Sequence, residues 1–320
     1  MGMKKYLFPT IAFYLLLSVS MNVIATPKCL WISSYAPGYE WNDGISEGLH
    51  SVLDGKCEVK EFHMDTKRNK GSEFGHEQAL HAKALIESYK PDVVIASDDN
   101  ASKYLIAPYY KNADLPIVVC AINWTAKGYG YPYKNVTGMI EVMQIKPLLK
   151  MAKKVLSISE GSASFIVPNT NTGKKNAKYI RKYFAREGFD LKIQFVNDFK
   201  QWKNAFINAQ QDDVIFMLTT GGVTNWNKEE AKLFVAAHGK KLSISVNKWV
   251  KDYAMIVYAK RAEEQGEWAA KVALKILDGT PPSKIPMTVN KQWERYFNKK
   301  LLDKAGISVG RQILNRAITG

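Results

Sequence analysis

The fold is decided by residues 92–121, which read DVVIASDDNASKYLIAPYYKNADLPIVVCA. Two short apolar runs, Asp92–Ala96 and Pro116–Ala121, flank a helical pattern over Ala101–Tyr110. Apolar runs of this length bounded by turn residues predict buried strands. A strand, a helix and a second strand at this spacing predict a right-handed crossover in a parallel sheet. The stretch therefore predicts a doubly wound α/β fold.

The same alternation extends in both directions, interrupted by a Gly- and Tyr-rich stretch over residues 127–135. The predicted strands are Leu30–Ser33, Cys57–Met64, Asp92–Ala96, Pro116–Ala121, an isolated Val136–Ile140, Ser164–Val167, Leu191–Val196, Val214–Leu218, Leu242–Val246 and Ala254–Ala259. The predicted helices are Asp43–Leu53, Ser72–Tyr89, Ala101–Tyr110, Ile145–Leu156, Lys174–Gly188, Phe199–Gln210, Asn227–His238, Glu263–Leu277 and Asn298–Ala305. Because the alternation restarts after the interruption, we expect two similar lobes.

The tail beyond the second series of elements is too short for a third domain. We expect it to return first to one lobe and then to the other. The first lobe is predicted to comprise residues 26–139 and 254–280, and the second lobe residues 140–253 and 281–320. The several chain crossings between them form a hinge of more than one strand.

Composition excludes a disordered or low-complexity chain, because 46% of the residues are hydrophobic and 23% are charged. The formal net charge of +15 has two interpretations. It serves solubility and a weak attraction to anionic membranes, or it marks an anionic ligand or nucleic acid. The lysines are scattered at spacings that suit the wet faces of helices, and no nucleic-acid motif is present, so we predict no nucleic-acid partner.

The first 25 residues have the pattern of a secretory signal peptide. Lys4 and Lys5 precede an apolar run over residues 6–19, and short side chains lead to a cleavage site after Ala25. An uncleaved anchor is the alternative, but the apolar run is shorter than the roughly 20 residues of a spanning helix. We therefore expect a soluble periplasmic protein.

Ligands of open parallel sheets bind beyond the carboxyl ends of the strands, where helix N-termini present free N–H groups. The loops at those positions, three from each lobe, are rich in short polar side chains and large aromatic rings. That mixture suits hydrogen bonding and stacking on a small molecule, although helix capping and packing between the lobes account for single residues equally well. The residues predicted to contact the ligand are Ser34, Tyr35, Tyr39, Trp41, Ser97, Asp98, Asp99, Asn100, Asn123, Trp124, Asn169, Thr170, Thr220, Gly221, Asn247, Lys248 and Trp249.

Several stretches, in their order and spacing, carry a resemblance to a known family. They are Ser34–Gly44, Met64–Arg68, Ser97–Ala101, Cys120–Asn123, Asn135–Gly138, Gln265–Ala270, Ile276–Gly279 and Ile285–Pro286. The chain resembles the ABC transporter substrate-binding proteins of the type I periplasmic-binding fold over nearly its whole length after residue 25. It is similar as well to the periplasmic sensing modules that work with membrane histidine kinases or diguanylate cyclases.

The resemblance implies capture of a small solute between two lobes that close on a hinge, without chemistry. It implies a partner in the membrane, either the permease of an ABC importer or a sensor protein. Relatives that hold aromatic amino acids often place an acidic residue after the last strand of the second lobe. Here Asn247 and Lys248 stand at that position, so an amine loses a charged partner and a carboxylate gains one.

An enzyme is the remaining class. Residues 44–48 spell G-x-S-x-G around Ser46, but they lie inside a helical pattern rather than at the end of a strand, where a nucleophile elbow must turn. Asp98 and Asp99 suit acid/base chemistry, yet a helix cap with one ligand contact explains them better. The five histidines show no metal-ligand spacing, and residues 168–174 lack the glycine and hydroxyl of a phosphate loop. We predict no enzyme activity, no cofactor and no metal, with a hydrolase using Ser46 as a distant alternative.

The cysteines add a covalent prediction. Cys29 and Cys57 lie at the starts of consecutive strands, which are neighbours in a doubly wound sheet, and the periplasm permits disulfides. We predict a Cys29–Cys57 disulfide at the end of the first lobe away from the cleft. Cys120 ends a buried strand and is expected to be a free core residue.

Overall fold

The computed structural model describes residues 1–2, 26–69, 71–315 and 317–319. The predicted signal peptide therefore lies outside the described residues, apart from its first two. Within the described part of the chain, no helix is both long and apolar enough to cross a bilayer.

The secondary structure alternates strands and helices from Lys28 onward. The strands are β1 (Lys28–Ser33), β2 (Glu58–His63), β3 (Val93–Ser97), β4 (Ile117–Asn123), β5 (Val136–Glu141), β6 (Gly161–Pro168), β7 (Phe189–Val196), β8 (Val214–Met217), β9 (Leu242–Ser245), β10 (Ile256–Lys260), β11 (Thr288–Val289), β12 (Trp293–Phe297) and β13 (Ile318–Thr319). The helices are α1 (Glu40–Leu53), α2 (Ser72–Tyr89), α3 (Asp98–Ala101), α4 (Ala107–Tyr109), α5 (Ile145–Leu156), α6 (Asn171–Arg186), α7 (Phe199–Asn208), α8 (Lys228–His238), α9 (Ala262–Leu277), α10 (Lys299–Lys304) and α11 (Arg311–Leu314). A π-helical segment, Ser102–Ile106, joins α3 to α4, and short 3-10 turns cover Lys127–Tyr129, Ala209–Gln211, Lys248–Val250 and Pro282–Lys284.

These strands form two sheets. In the described residues the first sheet has six strands in the order β11-β5-β4-β3-β1-β2, and the second has seven in the order β13-β12-β10-β9-β8-β6-β7. All neighbours pair in parallel except β10 and β12. The fold is thus the predicted α/β arrangement of two doubly wound lobes.

The residue composition of the strands matches their positions in the two sheets. The central strands β3 and β8 are apolar except for Ser97 at the end of β3, and they are buried throughout because helices cover both of their faces. The edge strand β7 alternates buried and exposed residues over its first half, and the edge strand β2 has only partly buried and exposed residues, because a strand at the edge is only partly covered.

Two expectations about the hinge differ from the structure. The tail strand Ala254–Ala259, expected in the first lobe, forms β10 of the second sheet between β9 and β12, although the helix after it, α9, packs on the first lobe. Residues 281–320, expected in the second lobe, contribute β11 to the first sheet. The strand predicted as isolated, β5, pairs with β4 and β11. An apolar strand satisfies either sheet equally, so its sequence does not say which one it joins.

The G-x-S-x-G stretch has a packing function in the structure. Ser46 lies inside α1, several residues after the helix begins, and not at a strand-to-helix turn. A Cβ atom on Gly48 would lie 2.2 Å from the carbonyl oxygen of Glu263, and one on Gly266 would lie 2.1 Å from that of Ile45. The glycines therefore let α1 and α9 approach each other closely, and the hydrolase geometry proposed for Ser46 is absent.

The cysteines are arranged as the sequence predicts. A disulfide joins Cys29 and Cys57, whose Cα atoms are 5.9 Å apart, and it ties the start of β1 to the residue before β2. Cys120 is free and buried in β4. The bridge lies at the amino ends of the strands, opposite to the ends that form the cleft.

Candidate functional site

A cavity of about 330 Å³ lies between the two lobes, at the carboxyl ends of strands from both sheets. The residues that line it are Tyr35, Tyr39, Trp41, Lys67, Asp98, Asp99, Asn123, Trp124, Glu141, Lys175, Asn176, Trp249 and Lys260. This is the edge at which parallel sheets bind ligands, and the volume suits a small molecule.

Aromatic rings and a lysine form one wall. The rings of Tyr35 and Tyr39 meet edge to face with centroids 5.4 Å apart. The ammonium of Lys67 lies 5.2 Å and 4.6 Å from the two ring centroids and donates a 3.3 Å hydrogen bond to the Tyr39 hydroxyl. Burial raises the pKa of both tyrosine hydroxyls, so they remain protonated donors at neutral pH.

Asp98 is the most unusual group in the cavity. It is only 1% exposed and has a φ of +68°, in the left-handed region that Asp tolerates better than most residues. Trp41 Nε1 donates a 3.2 Å hydrogen bond to its Oδ1, whereas its buried Oδ2 has no partner among the described residues. Burial, reinforced by the charge of Asp99, raises the pKa of Asp98 to about 8. The group can therefore accept a hydrogen bond from a solute or donate one to it.

Asp99, its neighbour, is fully engaged within the first lobe. Its carboxylate accepts a 2.6 Å hydrogen bond from the Tyr129 hydroxyl and 2.8 Å and 3.3 Å hydrogen bonds from the side chain and backbone N–H of Asn123. These bonds hold the end of β4 against α3. Asp99 thus orients Asn123 at the cavity wall.

A buried ion pair closes the hinge side of the cavity. The Lys260 ammonium contacts the Glu141 carboxylate and lies 4.4 Å from the ring centroid of Trp41. Their side chains are 14% and 3% exposed, respectively. Burial lowers the pKa of Lys260 to about 7, and the nearby Asp98 carboxylate opposes that shift. Both side chains line the cavity.

Five residues of the lining are absent from the sequence prediction: Lys67, Glu141, Lys175, Asn176 and Lys260. Glu141 and Lys260 are the last residues of β5 and β10, and Lys67 lies in the loop after β2. The rule that parallel strands present ligand contacts at their carboxyl ends applies to these strands too. The predicted contacts lie in six loops that follow other strands, and the ends of β5 and β10 are not among them.

The second lobe contributes a different surface. Trp124, at the end of β4 in the first lobe, stacks on Tyr179 of α6 with centroids 5.1 Å apart and an interplanar angle of 11°. Trp124 Nε1 also donates a 3.1 Å hydrogen bond to the side-chain oxygen of Asn176. Trp124 therefore contacts the opposite lobe and lines the cavity at once. Lys175 and Trp249 complete this side.

Some predicted residues lie beside the cavity rather than in its lining. Ser34 and Ser97 are fully buried and bond within the first lobe, where the Ser34 hydroxyl donates to the Ser97 carbonyl oxygen at 2.7 Å. Asn100 donates a 2.8 Å hydrogen bond to Thr66. Thr170 caps α6 by accepting a 3.0 Å hydrogen bond from the backbone N–H of Gly173.

The remaining predicted residues of the second lobe divide into two groups. Asn169, Thr220 and Gly221 follow β6 and β8 and are not among the residues that line the cavity. Asn247 and Lys248 line a smaller neighbouring cavity of about 50 Å³. There Asn247 donates its amide to the Leu218 carbonyl oxygen, and the Lys248 ammonium lies 3.8 Å from carboxylates of Glu40 and Glu294.

In the described part of the chain, no group of three or more His, Cys, Asp or Glu side chains could hold a metal ion. The chemistry of the cavity is that of charged groups, hydroxyls and aromatic rings. Such an arrangement binds and orients a polar molecule.

Comparisons with solved structures give the same architecture. The chain is similar to the ligand-free, open structure of a substrate binding protein with adhesive properties from Clostridium difficile, at 15% identity and a TM-score of 0.70, covering 92% of this chain and 99% of that one. It is also similar to an ABC domain in complex with L-Trp from Streptococcus pneumonia, at 15% identity and a TM-score of 0.58, covering 91% and 99%. A conserved domain protein from Vibrio cholerae matches at 17% identity and a TM-score of 0.62, covering 92% and 99%. At these identities the likeness shows the type I periplasmic-binding fold.

The search of curated proteins gave no match. A family model described as ABC transporter substrate binding protein matches residues 34–319, which is most of the chain. Members of that family bind solutes rather than catalyse reactions, and they are typically periplasmic or extracellular. The chain belongs to the ABC transporter substrate-binding protein family.

Proposed function

We propose that this protein captures a small solute in the cavity between its lobes and presents it to the membrane permease of an ABC importer. The observation that carries the proposal is the cavity itself, whose lining comes from both lobes and includes the buried Oδ2 of Asp98, an atom without a hydrogen-bond partner among the described residues. A buried polar atom without a partner is costly, and a bound solute supplies the missing hydrogen bond.

The lining suggests the chemistry of the solute. Tyr35, Trp41 and Trp249 offer faces for an aromatic or otherwise planar group. Lys67 and Lys175 offer charge to a carboxylate. We therefore expect an aromatic or carboxylate-bearing solute with at least one hydrogen-bonding group for Asp98. The complex of a structurally similar ABC domain with L-Trp supports this class.

Binding and closure are coupled in this proposal. A solute held first by one lobe gains the contacts of the other lobe when the cleft closes, so it favours the closed form by that difference in affinity. The closed form is what the permease recognises. We place the protein in the periplasm, with its signal peptide cleaved after Ala25, and the disulfide between Cys29 and Cys57 fits an oxidising compartment.

A thermal-shift screen tests the proposal. The chain from residue 26 onward is unfolded and refolded to remove any retained solute, and amino acids, aromatic acids, purines, sugars and polyamines are then added. We expect at least one compound to raise the melting temperature in proportion to its dose. The shift should vanish in Asp98→Ala and Trp41→Ala and persist in Asp114→Ala, whose fully exposed side chain is not among the residues that line the cavity.

Two outcomes would contradict the proposal. In the first, no compound of the panel raises the melting temperature of the protein, and a cell extract does not raise it either. The other is a stabilising compound whose effect is unchanged by both cavity variants. Import assays in cells lacking the gene then separate the importer from a membrane sensor, because only the importer role predicts loss of uptake.

A further inference from the structure

Two helices of the second lobe carry an unusual charge distribution. α5 contains four lysines and α6 contains four lysines and two arginines, and neither helix contains an Asp or Glu. The formal net charge of the whole chain is +15, so most of it lies on these two helices. The remainder of the chain mixes both signs and is close to balance by comparison.

The two helices form one continuous surface. α5 packs against β9, β10 and α6, while α6 packs against β6 and β7, so both cover the same face of the second sheet. Lys153 of α5 donates a 2.9 Å hydrogen bond to the Glu187 carbonyl oxygen at the end of α6, which holds the helices together. We call the outward side of this pair the α5–α6 face.

All cations of this face except Lys153 are exposed and have no ion-pair partner among the described residues. Lys153 pairs with Glu187, and among the described residues no other cation of α5 or α6 lies within ion-pair distance of a carboxylate. The exposed cations of the face outside the cavity lining are Lys146, Lys150, Lys154, Lys174, Lys178, Arg181, Lys182 and Arg186. Elsewhere many lysines are paired, as Lys203 is with Glu230 and Lys299 with Asp303.

The α5–α6 face carries many charged side chains and, among the described residues, no large exposed hydrophobic side chain. None of the large hydrophobic side chains that the described residues expose lies on α5 or α6. Protein interfaces rely on buried aromatic and apolar anchors at their centres. An anionic bilayer requires only clustered Lys and Arg near its surface. The composition of the face therefore favours a membrane surface over a protein partner.

We propose that the α5–α6 face binds the anionic surface of a phospholipid bilayer. Lys175 and Asn176 of α6 line the cavity, so a protein held by this helix keeps its cleft close to the membrane. That position would shorten the search for a membrane partner. The attraction is electrostatic, so it weakens as salt screens the charges.

Vesicle flotation tests the proposal with the chain from residue 26 onward. Mixed phosphatidylglycerol and phosphatidylcholine vesicles are compared with pure phosphatidylcholine vesicles at low and raised salt. The test variant replaces four exposed lysines of the face by glutamine: Lys150, Lys154, Lys178 and Lys182. The matched control replaces four exposed lysines of the first lobe, with the same loss of charge: Lys56, Lys111, Lys275 and Lys284.

We expect the unmodified protein to bind only the vesicles that contain phosphatidylglycerol. Because each Lys near an anionic surface strengthens binding by roughly fivefold, the test variant should lose at least about tenfold in partitioning. The control should stay within about twofold of the unmodified protein. Equal binding to both kinds of vesicle, or an equal loss in both variants, would overturn the proposal. Unchanged melting temperatures of both variants show that the fold is intact.

Discussion

Closure of the cleft should depend on the stack between Trp124 and Tyr179, which joins the two lobes. Tyr179 does not line the cavity, so replacing it leaves the solute contacts in place. A stacked aromatic pair contributes about 1 kcal/mol beyond the area that it buries, which corresponds to about fivefold in an equilibrium constant. We therefore predict that Tyr179→Ala lowers the ratio of closed to open protein by about fivefold.

Two measurements on the same samples give that ratio. Calorimetric titration with a solute from the screen should show a dissociation constant raised up to about fivefold, because only the closed fraction binds with full affinity. Small-angle scattering of the solute-free protein should show a larger radius of gyration. Tyr179→Phe keeps the stacked ring and serves as the control, with little change expected in either quantity. An Ala variant that binds and scatters as the unmodified protein does would refute the reasoning.

Three further predictions concern stability. The first compares urea unfolding of the unmodified protein and Asp98→Asn at a series of pH values. The Asp98 carboxyl has a pKa of about 8 in the folded protein and near 4 in the unfolded chain. The unmodified protein should therefore lose stability relative to the variant as the pH rises from about 4 to about 8, by at most about 1.4 kcal/mol per pH unit. A difference that does not vary with pH would contradict the assignment. The second is that Gly266→Ala lowers the free energy of unfolding by about 1–3 kcal/mol, because the new Cβ meets a backbone carbonyl of α1. Gly128→Ala is the control, since a Cβ there has open space and should change the stability little. Equal effects of the two substitutions in urea unfolding would argue against close packing of α1 and α9. Replacing Cys29 and Cys57 by serine should cost about 3–4 kcal/mol in the same assay, since the bridge closes a loop of 28 residues; an unchanged midpoint would show that the bridge constrains little.

The sequence was most informative where local pattern and tertiary packing agree. The helices Ser72–Tyr89 and Ile145–Leu156 have the bounds that their periodicity predicts, because one apolar face packs on a sheet and the other meets solvent. The parallel strands were equally clear, since burial on both faces requires continuous apolar runs.

The hinge was the least predictable part. The first four residues of β10 are as buried as those of a central strand, and nothing in them distinguishes one sheet from the other. The two-residue strands β11 and β13 carry too little pattern to be detected. Their pairing depends on contacts between residues that are far apart along the chain, and a local sequence pattern does not show such contacts.

The site residues also divide into those that the sequence predicted and those that it did not. Tyr35, Trp41 and Asp98 were predicted from loops after the first-lobe strands, and all three line the cavity. Glu141 and Lys260 were missed because the strands predicted over Val136–Ile140 and Ala254–Ala259 end one residue before them, and the loops after these two strands were not among those predicted to contact the ligand. Only the three-dimensional arrangement brings these two residues from separate sheets into an ion pair beside Trp41.

The central claim is that the cavity between the lobes holds a solute. A crystal structure of the protein with a stabilising compound from the screen tests this claim most directly. We predict electron density for the compound between Trp41 and Trp249, with a polar atom within hydrogen-bond distance of Asp98 Oδ2. Density for the compound at any other surface, with the cavity holding only water, would contradict it.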